Sequence, residues 1–131
     1  MNLSRCKDQK RQSLEEFYTE FARSESEASK KMGEAMLSLL RNLKKSRNET
    51  VAFGLTSHAK LYFLEEDTYE SPWYVSVFGT TPNEYRIDYL MPRESQPWSE
   101  ARVSGRAYSE TEAIEMLFTA IQKSDGWTSE K

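Results

Sequence analysis

Residues 84–90 read Glu84-Tyr85-Arg86-Ile87-Asp88-Tyr89-Leu90. In an extended chain, Tyr85, Ile87 and Tyr89 point to one side and Glu84, Arg86 and Asp88 to the other, because successive strand side chains alternate faces. That pattern belongs to an antiparallel strand with one face buried. Just upstream, Thr80-Thr81-Pro82-Asn83 is a strong turn signal that ties this strand to another over residues 73–79. Earlier still, Val51, Phe53 and Leu55 keep the period of two. Thr56-Ser57-His58 then suggests a turn, and residues 61–64 resume a strand. A four-stranded meander is expected, with the polar residues 65–72 as its one longer connection. Residues 101–108 offer a fifth strand, weakened by Gly105. Between them, residues 91–100 carry Pro92 and Pro97 and read as a loop pinned to the body by Trp98.

Both flanks of the sheet are helical. Ser13-Leu14-Glu15-Glu16 has the spacing of a capping box, so residues 1–12 read as a flexible lead-in and residues 13–131 as a single domain. From Leu14 onward a stripe through Tyr18, Phe21, Glu25, Ala28, Met32, Ala35 and Leu39 repeats at alternating four- and three-residue steps, which places it on one helix face. The stripe weakens at Arg23-Ser24-Glu25-Ser26-Glu27. An unbroken helix over residues 14–45 would be roughly 48 Å long, against a radius of gyration of about 14 Å for a domain this size. A break near Ser24–Ser26 is therefore favoured; a continuous helix would call for a homodimer through that helix. At the other end, Ser109-Glu110-Thr111-Glu112 is a second capping box. Ala113, Ile114, Leu117, Phe118 and Ile121 form an apolar face, Gly126 stands where a helix C-terminal glycine belongs, and Trp127 is placed to pack back on the last turn. The fold class expected is α+β: an N-terminal helix or helix pair, a four- to five-stranded antiparallel meander and a C-terminal helix, with the helices on one sheet face.

Composition narrows the chemistry. The chain has 131 residues, 18 Lys+Arg against 21 Asp+Glu, 16 aromatic residues (6 Phe, 7 Tyr, 3 Trp), one Cys and one His. One Cys and one His cannot build a zinc finger or a disulfide framework. No apolar run approaches the ~18 residues of a membrane helix, and the charged start lacks a signal region; a cytoplasmic protein without a membrane partner is expected. Glycines at 33, 54, 79, 105 and 126 write neither a dinucleotide fingerprint nor a phosphate-binding loop. His58, in a turn, and Cys6, in the lead-in, lack the rigid surroundings of a base or nucleophile. The acidic run Glu65, Glu66, Asp67 and Glu70 lacks the spacing that wraps calcium. No catalytic, metal-binding or cofactor-binding residue is assigned, and catalysis is the less favoured reading.

Charge is uneven: residues 1–50 hold 11 Lys/Arg and 8 Asp/Glu, whereas residues 51–131 hold 7 and 13. Strands with aromatics at both parities have more rings than two short helices can cover. The preferred expectation is a small non-catalytic protein that binds another protein through Tyr74, Tyr85 and Tyr89 with Glu65, Glu66 and Asp67, neutralising or regulating a basic partner. Two alternatives stand beside it. One is nucleic-acid binding by Arg41, Lys44, Lys45 and Arg47, of which 41, 44 and 45 share a helix face, with stacking on sheet aromatics; these cations equally suit a helix C-terminus. The other is an enzyme or small-ligand protein with a pocket between sheet and helices, lined by Arg86, Asp88 and Tyr89.

Overall fold

The computed structural model describes residues 1–127. Its chain order is strand β1 (Asn2–Arg5), helices α1 (Leu14–Ala22) and α2 (Glu27–Lys45), strands β2 (Val51–Ser57), β3 (Lys60–Leu64), β4 (Val75–Thr81), β5 (Glu84–Leu90) and β6 (Arg102–Ala107), and helix α3 (Glu110–Lys123). The six strands form one sheet in sequence order. From β2 to β6 every pairing is antiparallel, while β1 runs parallel to β2. This is the α+β meander with helices before and after it, one strand larger than expected.

The extra strand comes from the supposed lead-in. Met1, Leu3 and Cys6 are buried, and Asn2–Arg5 align with Val51–Gly54. A parallel neighbour requires a crossover, here α1 and α2. Two alternating apolar residues are too few to announce a strand whose partner lies some fifty positions away.

The long N-terminal stripe is two helices. Ser13 accepts from the Glu16 amide while the Glu16 carboxylate accepts from the Ser13 amide at 2.8 Å, a complete capping box. α1 stops at Ala22, and Ser26 caps α2 by accepting from the Ser29 amide. With the break, the continuous helix that would have called for a dimer is gone. α1 and α2 touch at Gly33, where an added Cβ would press on the Ala22 amide nitrogen and lie 2.8 Å from both the Ala22 Cα and the Tyr18 carbonyl oxygen. Only a residue without a side chain admits this approach.

Both helices lie on the face formed by Ala52 and Gly54 of β2, Leu61 and Phe63 of β3, Val75 and Val77 of β4, and Tyr85 and Ile87 of β5. Against it pack Leu14, Tyr18, Met36, Leu39, Leu40 and Leu43, with Leu117 and Ile121 of α3 closing the far end. At the β4 irregularity between Gly79 and Thr81, the Gly79 amide donates to the Met36 sulfur at 3.2 Å. The Tyr18 hydroxyl donates to the Ala59 carbonyl at 2.9 Å, and the Tyr85 hydroxyl reaches the Ala35 carbonyl at 3.5 Å.

Three local expectations are corrected. Trp98 is 73% exposed and pins nothing; Gln96, whose side-chain amide donates to the Met91 carbonyl, fastens that loop. Gly126 is not the left-handed terminator of α3, since Trp127 carries the positive φ of 57°; Gly126 instead makes room for the Tyr74 ring, 2.6 Å from where its Cβ would stand. Trp127 packs on Tyr74 and donates to the Val51 carbonyl rather than folding back on its own helix. The second capping box is also rearranged: Ser109 accepts from the Glu112 amide, but the Glu112 carboxylate accepts from Tyr108, one residue earlier. Among the described residues no helix is long and apolar enough to cross a membrane.

Two outcomes are expected. Gly33→Ala should lower unfolding stability by about 1–3 kcal/mol despite the roughly 1 kcal/mol better helix propensity of Ala, measured by denaturant titration. Burial holds the Tyr18 phenol well above its ordinary range and, with Glu110 adding repulsion, pushes Tyr85 up to about 12. The folded protein then keeps protons that the unfolded chain releases near pH ~10. Stability should hold below that pH and fall as pH climbs towards about 12, read as a denaturant midpoint that drops with alkalinity.

Candidate binding face

Among the described residues no α-helix covers the opposite side of the sheet. Its side chains come from the other parity of each strand: Phe53 and Leu55 of β2, Lys60, Tyr62 and Leu64 of β3, Ser76 and Phe78 of β4, Arg86 and Asp88 of β5, and Arg102, Ser104 and Arg106 of β6. At the β1 end this face is apolar, with Cys6, Leu55 and Leu64 closed over by Phe53 and Tyr62. Burial raises the Cys6 thiol above its ordinary value; the residue is an enclosed packing group, not the exposed thiol its position suggested.

Towards β6 the face becomes ionic. Register places Tyr62 beside Ser76, Ser76 beside Asp88 and Asp88 beside Ser104. Asp88 is only 7% exposed. Its Oδ1 accepts from the Arg102 Nε at 2.6 Å and its Oδ2 lies 3.6 Å from the Lys60 Nζ. A carboxylate so enclosed needs such partners, since removing a charge from water is costly without them. The Arg102 guanidinium continues across the strands, donating from Nη1 to the Trp73 carbonyl at 2.8 Å and from Nη2 towards the Tyr74 carbonyl at 3.5 Å. It thereby straps β6 to the segment that leads into β4. Both Lys60 and Arg102 sit within 6 Å of the Tyr62 ring, which packs on Trp73 at 4.7 Å, a cation–aromatic cluster. The Ser76 hydroxyl is enclosed beneath this cluster, with no partner among the described residues.

Asp88 and the backbone thus occupy Arg102. Arg86 and Arg106 are differently placed. They are cross-strand neighbours, and Arg86 is also paired with Phe78. Arg106 reaches Glu84 at 3.8 Å between two half-exposed side chains, and Arg86 has no ion pair among the described residues. With Lys60 they line a depression of about 440 Å³ floored by Phe78 and edged by Glu84 and Thr80. Three cations against the carboxylates of Glu84 and, at 3.6 Å from Lys60, Asp88 leave Arg86 unmatched over an aromatic floor, which suits a ligand that brings carboxylates and some apolar surface.

The residues singled out from sequence do not make this face. Tyr85 is 1% exposed and lies under the helices, out of reach of a partner, while Tyr89 is half-buried on that same side of the sheet and lines a groove beside α3. Tyr74 is half-buried against Trp127. Glu65, Glu66 and Asp67 occupy the β3–β4 loop, and Asp67, which accepts from the Lys7 amide at 2.7 Å, ties the loop to the segment after β1, where Asp8 in turn accepts from the Tyr69 amide. Arg41, Lys44, Lys45 and Arg47 are exposed in the helical layer, on the other side of the molecule from the open face, with Lys44 paired to Glu15 at 2.6 Å. His58 is exposed in the β2–β3 turn with φ 58°. Among the described residues no group of three or more His, Cys, Asp and Glu is placed to hold a metal ion. The available signal was parity: once Tyr85, Ile87 and Tyr89 are taken as core, Arg86 and Asp88 must face the other way.

No family model matches the chain, and no curated protein or solved structure is significantly similar to it.

Replacing Asp88 by Asn should cost about 2 kcal/mol of stability, because Arg102 and Lys60 would keep their charge and lose its partner. The denaturant midpoint measures this, and Arg102→Met should cost less in the Asp88→Asn background than in the unaltered chain, since the ion pair is then already lost and only the bonds to the Trp73 and Tyr74 carbonyls remain to be removed.

Proposed function

We propose that the chain is a non-catalytic protein-binding module whose helix-free sheet face holds an acidic stretch of a partner protein. The observation that carries this is the Lys60–Arg86–Arg106 depression over Phe78: Arg86 has no ion pair among the described residues, Lys60 and Arg106 have only long ones at 3.6 and 3.8 Å, and all three stand on regular strands beside half-buried rings. Rigid strands hold such groups in place before binding, so little ordering entropy is lost on association. The sign differs from that expected of the loop carboxylates alone. Glu65, Glu66 and Asp67 sit at the loop end and act as a rim that repels an acidic chain straying from the cationic patch. Glu84 and Asp88 within the face disfavour a continuous phosphate backbone, which would meet both. The partner's carboxylates are discrete, and electrostatics here sets orientation and association rate more than total affinity.

Selection of unstructured peptides from a displayed library on the immobilised full chain tests this reading. Enrichment of sequences with two or more Asp or Glu is expected, with binding weaker at about 300 mM salt than at about 50 mM. Arg86→Ser with Arg106→Ser should reduce that binding by about tenfold or more while the melting temperature changes little, as both side chains lie at the exposed margin. Enrichment of basic peptides, or of none, would overturn the reading, as would tighter retention of a single-stranded oligonucleotide than of any peptide.

A further inference from the structure

The strand that carries Arg106 is also the end of the sheet, and its outer edge is open. Among the described residues β6 pairs only with β5. The ladder between them begins where the Met91 amide donates to the Ala101 carbonyl at 2.9 Å and proceeds without a register shift through Val103, Gly105 and Ala107. Antiparallel strands exchange bonds at alternate residues. The N–H and C=O groups of Arg102, Ser104 and Arg106 therefore point away from β5. Six residues without a proline or a bulge leave these groups in strand geometry, a ready template for another chain.

The two sides of this edge differ in chemistry. On the open face stand Arg102, Ser104 and Arg106. On the helix side Val103 is 41% exposed and Gly105 has no side chain. Beyond them a groove of about 280 Å³ runs between β6 and α3, lined by Met116 and Ala120 and, on the α3 side, by Glu112 and Glu115, whose charge favours apolar over acidic side chains entering it. A Cβ on Gly105 would come 2.7 Å from the Met116 methyl, so the glycine lets that side chain lie against the strand.

We propose that the acidic partner segment binds as a seventh strand along β6, with acidic residues beside Arg106 alternating with apolar residues that enter the groove over Val103 and Met116. Strand addition supplies main-chain bonds for affinity and alternating pockets for selectivity. This rests on the reading of the protein as a binder of acidic segments, and it assigns that segment a path and a residue pattern. A second copy of the chain is a poor occupant: a two-fold pairing about Ser104 would set Arg102 directly against Arg106 of the other copy, like charge on like. Edge cations also deter self-association, but that role does not require an apolar groove beside them.

A capped peptide of about eight residues alternating Glu and Val is the probe, in three forms: unmodified, N-methylated at the Glu amides, and N-methylated at the Val amides. The unmodified form should bind, and one methylated form should lose roughly tenfold or more in affinity while the other stays within about twofold. An antiparallel strand makes the Glu amides the sensitive set and a parallel one the Val amides. On binding, the Ser104 and Arg106 amides should become protected from hydrogen exchange, and Val103→Asp should weaken binding without loss of folding. Equal tolerance of both methylation patterns, with binding still dependent on Arg86 and Arg106, would overturn strand addition and leave the acidic segment lying across the face. Absence of binding by any acidic peptide would overturn the function itself.

Discussion

The close approach of α1 to α2 at Gly33 governs how this molecule is arranged. With Ala22 and the Tyr18 carbonyl seated where a Cβ would otherwise stand, the two helices fold back on each other and deliver both apolar stripes to the same side of the sheet. α3 joins them there. A six-stranded sheet so covered has one side finished by helices and the other finished by its own side chains.

That second side explains the ionic network. Without a helix above it, the β3–β5 region is closed by an arginine from β6 that reaches across β5 to Trp73 and Tyr74, held by Asp88 and flanked by Tyr62 and Lys60. The arrangement divides the cations into two populations. Arg102 is consumed by the fold, whereas Arg86 and Arg106 remain as charge directed at solvent. The same division separates the carboxylates: Asp88 and Asp67 hold strands and loops together, while Glu66 is exposed on the rim. Net charge alone, -3 for the chain, conceals a sheet face of the opposite sign.

The position of β6 links this face to a route for binding. As the last strand, it offers cations on one side, an exposed valine and a groove on the other, and an unpaired row of backbone groups between them. Each feature alone is ordinary at a sheet edge. Their coincidence on a single six-residue strand sets the geometry of the proposed partner: extended, acidic at every second position and apolar between.

Local patterns in the chain were sufficient for most of the architecture. Alternation in residues 84–90, the turn at Pro82-Asn83, the capping serines at 13 and 109, and the weak stretch around Ser24–Ser26 each act over a few residues, where propensity and hydrogen-bond geometry decide. Parity even assigned Arg86 and Asp88 to a common side. What required the tertiary structure is whatever depends on partners distant in sequence. Asn2–Arg5 become a strand only beside Val51–Gly54; Tyr85 is lost to solvent only because Ala35 of α2 lies above it; Arg102 is held at 2.6 Å by an enclosed Asp88, whereas Arg106 meets only a half-exposed Glu84 at 3.8 Å, because register sets one inside the face and the other at its margin. A two-residue period tells a side chain which way to face, but the neighbours it meets there are set by long-range packing, whose energy is distributed over contacts that no short stretch of sequence contains.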